Sequence, residues 1–164
     1  HTVNVVDLAA EHFNPVMSTA EWNLYSEGSG VIPIGLERDV SLVKAAEIIV
    51  FVYPTWWGGL PAQLKGWLER VMLPGTAFVF NENNKVRPGL RNIRRIHIAS
   101  TFGSPWLYVR FVNDNGRRIL ARAFRMNTSW RTKVSTSSLY AMDTATDASR
   151  KSFLLSLEKK MGTL

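Results

Sequence analysis

Apolar residues recur along this chain in blocks that switch between strand-like and helix-like spacing. Val3, Val5 and Val6, ahead of Asp7-Leu8, form a short β-branched block that predicts a strand running into a loop around Asn14-Pro15. Ser18-Thr19-Ala20-Glu21 has the spacing of a capping box, in which a serine hydroxyl and a glutamate carboxylate satisfy orphan amides. A short helix therefore starts there, and Gly28, Gly30 and Pro33 end it. Asp39 to Ala46 places Val40, Val43 and Ala46 on one side of a second short helix. This runs directly into Ile48-Ile49-Val50-Phe51-Val52-Tyr53, an apolar stretch without alternation, which predicts a strand buried on both faces between layers of helix.

After a turn from Pro54 to Gly59, Pro61 suits the first position of a helix, and Leu60, Leu64, Leu68 and Val71 have the spacing of its packed face. Pro74-Gly75 closes that helix, and residues 77–91 form a surface excursion or hairpin. A third strand covers Arg95 to Ser100, and a helix follows from about Arg117 to Phe124. The last strand covers Lys133 to Met142. Asp143 or Thr144 then caps a final helix that turns Phe153, Leu154, Leu157 and Met161 inward and stops at Gly162. Strands alternating with helices predict one α/β domain whose mainly parallel sheet is covered on both sides.

The composition narrows the chemistry. A chain of 164 residues, 46% hydrophobic and 20% charged, suits a single domain with a true core. It has no cysteine, which excludes disulfides and thiolate chemistry; a reducing compartment is permitted, and cytoplasm is the default expectation. No apolar run approaches the roughly 20 residues that span a bilayer, and His1-Thr2-Val3 lacks the features of a signal peptide. A net charge of +7 favours anionic partners. Arg117, Arg118, Arg122 and Arg125 on one predicted helix are nevertheless expected to be a solvated face rather than a nucleic-acid surface. The histidines His1, His12 and His97 have no metal-ligand spacing, and no Gly-x-Ser-x-Gly elbow supports a hydrolase.

The most informative stretch is Tyr53-Pro54-Thr55-Trp56-Trp57-Gly58-Gly59-Leu60-Pro61-Ala62-Gln63-Leu64-Lys65-Gly66-Trp67-Leu68-Glu69-Arg70-Val71. On their own, two tryptophans and two glycines would equally build a buried turn. Here they close a buried parallel strand just before a helix, where open α/β sheets bind ligands. Such a loop can offer flat apolar surface, backbone amides and close backbone approach. The whole stretch resembles the flavin-binding signature of the NAD(P)H:quinone oxidoreductase family. Ile98-Ala99-Ser100-Thr101-Phe102-Gly103 resembles that family's second flavin-contacting loop, with Phe102 where a glycine is usual. Tyr108 matches a tyrosine that helps stabilise charge on the reduced flavin, although the family's downstream histidine partner is missing. Leu139-Tyr140-Ala141-Met142-Asp143, Arg150 and Phe153-Leu154 resemble the family's last strand and helix.

The resemblance implies a flavodoxin-like three-layer sandwich with sheet order 2-1-3-4-5. Its first strand, phosphate loop and first helix are expected to be missing before residue 1, so that the Val3–Val6 block stands as strand 2. It also implies FMN or FAD as cofactor and NAD(P)H as reductant, with a quinone-like acceptor reduced by ping-pong hydride transfer and no metal. The expected cofactor-binding residues are Pro54, Thr55, Trp56, Trp57 and Gly58 in the first loop and Ser100, Thr101, Phe102 and Gly103 in the second. Tyr108 is the expected catalytic residue. A homodimer is expected, with each flavin near the interface and Trp106 and Phe111 as exposed aromatics near the second loop. The alternative implied by the same signature is a regulatory flavoprotein subunit of a membrane transporter such as a bacterial potassium-efflux system.

Overall fold

In the computed structural model, which describes residues 2–28 and 30–164, the apolar run at 48 becomes β1 (Ile48–Pro54). It pairs in parallel with β4 (Arg95–Thr101), which pairs in parallel with β5 (Lys133–Leu139), giving a three-stranded sheet of order β1-β4-β5. The register sets Tyr53 beside Ser100 and Ser100 beside Ser138, so all three carboxyl ends finish at one edge.

One face of this sheet carries Phe51, Tyr53, Ile96 and Ile98, and α1 (Thr19–Ser26), α2 (Glu37–Ala45) and α3 (Ala62–Val71) belong to that side. Val40 and Val43 of α2 and Leu64, Leu68 and Val71 of α3 close the core over it. Trp67 of α3 meets Phe51 edge-on and donates its indole N–H to Asp39 Oδ2 at 2.7 Å, which ties α3 to α2. Gly66 lets the chain at Pro15 lie on α3, because a Cβ there would come within 2.3 Å of the Pro15 carbonyl oxygen. The capping box of α1 forms as its spacing predicts: Ser18 donates its amide to Glu21 Oε2 at 2.6 Å, and its hydroxyl accepts from the Glu21 amide at 3.2 Å.

The excursion after α3 is a hairpin of β2 (Phe78–Phe80) and β3 (Val86–Pro88). Between β4 and β5 lie α4 (Trp106–Phe111), which the sequence pattern does not predict, and α5 (Asn115–Arg118). The predicted Arg117–Phe124 helix instead begins at Asn115, continues as a π-helical turn over Ile119–Phe124, and tightens to a 3-10 turn over Arg125–Asn127. α6 (Asp147–Met161) packs at the β5 end of the opposite sheet face, where Lys160 Nζ donates to the Thr136 carbonyl at 3.0 Å. No helix among the described residues is long and apolar enough to cross a membrane.

Several expectations are corrected. Val3 to Val6 forms no strand, and Val3 and Val5 are exposed; among the described residues no strand lies beside it to supply a ladder. β1 is not buried on both faces: Phe51 and Tyr53 are covered, while Val50 and Val52 face outward because α6 sits at the far side of the sheet. β5 ends at Leu139, short of the predicted Met142, because Ala141 takes a left-handed backbone (φ 52°) and turns the chain. Neither Asp143 nor Thr144 caps α6. They lie in a 3-10 turn, and the Thr146 hydroxyl takes the Ser149 amide at 3.2 Å instead. Phe153, Leu157 and Met161 are half-buried on α6, whereas Leu154 faces outward. Pro61 is the N-cap of α3, one position before its predicted place.

Candidate functional site

Two loops leave the carboxyl ends of neighbouring parallel strands, the position at which open α/β sheets take ligands. The first follows β1. Trp56 and Gly59 exchange backbone hydrogen bonds (Gly59 N to Trp56 O 2.9 Å, Trp56 N to Gly59 O 3.3 Å), closing a turn with Trp57 at φ 48° and Gly58 at φ 66°. Positive φ at both central positions makes this a type I′ turn. A bulky residue held there costs on the order of 1–3 kcal/mol, and such strain concentrates where ligands are clamped. The turn leaves the Trp57 side chain wholly exposed and Trp56 largely so.

The second loop follows β4 and is fixed to the first, since the Thr55 amide donates to the Thr101 carbonyl at 2.8 Å. On its other side Phe102 donates its amide to Leu139 O at 2.8 Å, and Ala141 donates to Ser104 O at 3.0 Å. The Phe102 ring turns into the fold, buried and stacked on Tyr140 with centroids 4.9 Å apart, while Gly103 stays exposed. Ser100 is buried and shares a hydrogen bond with Ser138 at 3.2 Å. Pro54, Thr55, Trp56, Trp57 and Gly58 therefore form one rim, and Ser100, Thr101, Phe102 and Gly103 form the base of the other. Tyr108 lies on α4 with its side chain exposed, as do Trp106 and Phe111.

Two buried polar atoms at this end of β1, the Tyr53 hydroxyl and Thr55 Oγ1, have no hydrogen-bond partner among the described residues. Unpaired buried groups of this kind are rare and costly, so a bound polar group would relieve them. Burial, reinforced by the Asp114 carboxylate and only partly opposed by Arg117, pushes the Tyr53 phenol well up from its ordinary value. It remains protonated and can donate.

The sequence pattern did not single out Tyr53, Asp114 or Gly116. Asp114 caps α5 from a left-handed backbone (φ 42°), and its neighbour Asn113 is also left-handed (φ 79°). Two turn-prone residues before Asn115-Gly116 were the available signal. Gly116 supports the first loop from behind: a Cβ there would lie 2.9 Å from the Gly59 carbonyl carbon, so only glycine permits the contact.

Comparisons with known proteins bear on the fold. The family described as a flavodoxin-like fold matches residues 1–151. An uncharacterized NAD(P)H oxidoreductase of Haemophilus influenzae is 36% identical over 98 residues, covering 60% of this chain and 46% of that protein. The NAD(P)H dehydrogenase (quinone) 1 of Rattus norvegicus is 31% identical over 119 residues, covering 62% of this chain and 42% of that enzyme. The chain thus spans less than half the length of these two relatives. The crystal structure of Smu.1420 from Streptococcus mutans superposes with a TM-score of 0.84 at 26% identity, covering 100% of this chain and 84% of that one.

Proposed function

Because this chain belongs to the flavodoxin-like family, we propose that it is a flavin-dependent oxidoreductase that takes electrons from NAD(P)H and passes them to a quinone or similar acceptor. The observation that carries this reading is the pair of loops locked together by the Thr55–Thr101 hydrogen bond at the carboxyl edge of β1 and β4, with an exposed tryptophan at the strained tip. Relatives named as NAD(P)H oxidoreductases and quinone dehydrogenases support it. A flavin, as FMN or FAD, supplies two-electron transfer when bound.

The chain's own part is to bind and orient. The indole of Trp57, with that of Trp56, offers flat apolar surface; the amides of Trp57, Gly58 and Gly103, not used in the backbone hydrogen bonds that fix the two loops, offer donors toward a polar ring edge. The Tyr53 hydroxyl and Thr55 Oγ1 are the unpaired buried groups available to the same ligand. Tyr108, exposed on α4, is the residue that would help stabilise negative charge on the reduced flavin. No nucleophile is required.

Absorbance spectra and titration of the purified protein with FMN and FAD, followed by NAD(P)H-to-quinone turnover, test the reading; failure to bind either flavin overturns it. Trp57→Ala is expected to weaken flavin binding by up to about tenfold, since one aromatic contact is worth about 0.5–1.5 kcal/mol. It should also slow turnover. A variant with wild-type affinity and rate would remove Trp57 from the site.

Trp56, Trp106, Tyr108 and Phe111 lie exposed near these loops. Large exposed aromatics of this kind fit contact with a second copy of the chain. Sedimentation velocity at micromolar concentration is expected to show a dimer, and a clean monomer would rule this out.

A further inference from the structure

Beside the two loops a cleft of about 80 Å³ opens between α4 and α5, and Trp106, Arg110, Asp114, Arg117, Arg118 and Tyr140 are among the residues lining it. Its charges do not cancel. Asp114 is 3% exposed and is committed to Arg117, whose Nε lies 2.7 Å from Oδ2 and whose amide donates to Oδ1 at 3.2 Å. Arg110 and Arg118 have no carboxylate partner among the described residues. The Arg110 guanidinium lies over the Trp106 ring, 5.9 Å from its centroid.

Arginines on a helix are ordinarily a solvated face, as this run was expected to be. Here the run divides, and Arg122 keeps the expected exposed place. Arg125 turns away to donate to the Thr132 and Trp130 carbonyls at 3.1 and 3.2 Å, while Arg117 and Arg118 border the cleft with Arg110 from the preceding helix. The cleft also joins the site already described. Tyr140 stacks on Phe102 of the second loop, and Gly116 backs onto Gly59 of the first.

We propose that this cleft binds the oxyanion carried by a substrate, a phosphate, sulfonate or carboxylate group, with Arg110 and Arg118 as its charged ligands and Trp106 and Tyr140 flanking the part of the molecule that bears it. The proposal rests on the oxidoreductase reading for the identity of that substrate. Guanidinium forks match oxyanions in geometry and make charge-assisted hydrogen bonds. A cleft of about 80 Å³ has room for a tetrahedral oxyanion. The oxyanion belongs either to the reductant, as the extra phosphate of NADPH, or to the acceptor.

The test is the double variant Arg110→Gln/Arg118→Gln, assayed with NADPH against NADH and with 1,4-naphthoquinone-2-sulfonate against 1,4-naphthoquinone. The quantity compared is the ratio of kcat/KM for the anionic to the less anionic substrate, within each protein. We expect at least one ratio to fall about tenfold or more, as the loss of charge-assisted hydrogen bonds implies. A fall confined to the nicotinamide pair assigns the oxyanion to the reductant; a fall confined to the quinone pair assigns it to the acceptor. Both ratios unchanged overturns the proposal, even where all rates drop together, because a uniform drop places the arginines on the flavin or the fold. An equal fall in Arg131→Gln, which removes one charge elsewhere, overturns it too. Should the protein turn over none of these substrates, the oxidoreductase reading fails, and titration calorimetry with inorganic phosphate still interrogates the cleft. Binding to wild type that the double variant loses supports an oxyanion site, and no binding to wild type overturns it.

Discussion

Trp67→Ala is expected to lower stability by about 3–5 kcal/mol, the cost of emptying a large aromatic site in a core. The side chain is 7% exposed, fills the space between α3 and the sheet, and meets Phe51 edge-on. It also supplies the indole N–H that Asp39 accepts, and Asp39 is itself 7% exposed. Trp67→Phe separates the two contributions, because it keeps most of the packing and strands only the acceptor, at about 1–3 kcal/mol. Urea unfolding midpoints of wild type and both variants measure this. Ten residues earlier, Trp57→Ala removes a wholly exposed ring and should move the midpoint by no more than about 0.5 kcal/mol, while flavin affinity falls. A Trp67→Ala midpoint within about 1 kcal/mol of wild type would show that the Trp67 contacts do not hold α2, α3 and β1 together.

The contrast between these tryptophans shows what the sequence could convey. Periodicity located α3 and put Leu64, Leu68 and Val71 inward, and the residues at 54–59 marked the turn after β1, because both signals are local. The strand expected at Val3 to Val6 failed for the opposite reason. β-branched residues favour a strand only where a neighbour completes the ladder, and the described chain places none there. Val50 and Val52 were misjudged likewise, since an unbroken apolar run reports composition, whereas burial depends on where α6 lands.

Within the site, the two loops were legible and their support was not. Pro54 to Gly58 and Ser100 to Gly103 stood out through glycines and aromatics next to apolar strands. Phe102 departs from the usual glycine, and the structure accommodates its ring by stacking it on Tyr140, 38 residues away. No local pattern encodes that contact. Asp114 and Gly116 belong to an Asn-Asp-Asn-Gly stretch that any surface turn could contain. Their importance arises only because α5 is folded back on the first loop, and the π-helical turn after it disrupts the 3.6-residue spacing by which the arginines would have been sorted.

Glu21→Gln is expected to cost about 3 kcal/mol at neutral pH, the lower end for breaking one side of a buried ion pair. Arg70 reaches Glu21 Oε1 through Nη2 at 2.6 Å and Nε at 3.0 Å, donates to the Asn14 carbonyl, and covers the Phe13 ring at 5.0 Å. It joins α3 to α1 and the segment before it, and the Glu21 and Arg70 side chains are only 9% and 14% exposed. Burial pushes the Glu21 carboxyl up, but the Arg70 hydrogen bonds, with those from the Ser18 amide and hydroxyl, outweigh it and hold the group below its ordinary 4.5. The unfolded chain therefore takes the proton first as pH drops. The pair's contribution is fully present above 4.5 and is lost as pH falls through the lower, folded value. His97 adds an earlier loss of the same sign. Burial, helped by Lys160, holds it below its ordinary 6.5, so the folded protein resists a proton that the unfolded chain accepts from that point downward. Wild-type stability should decline in both windows. Glu21→Gln should keep the decline that begins near 6.5 and lose the further decline below 4.5, narrowing its gap from wild type. Urea midpoints at about pH 7, 5 and 3.5 decide the matter. A constant gap across all three would show that ionised Glu21 contributes nothing through Arg70.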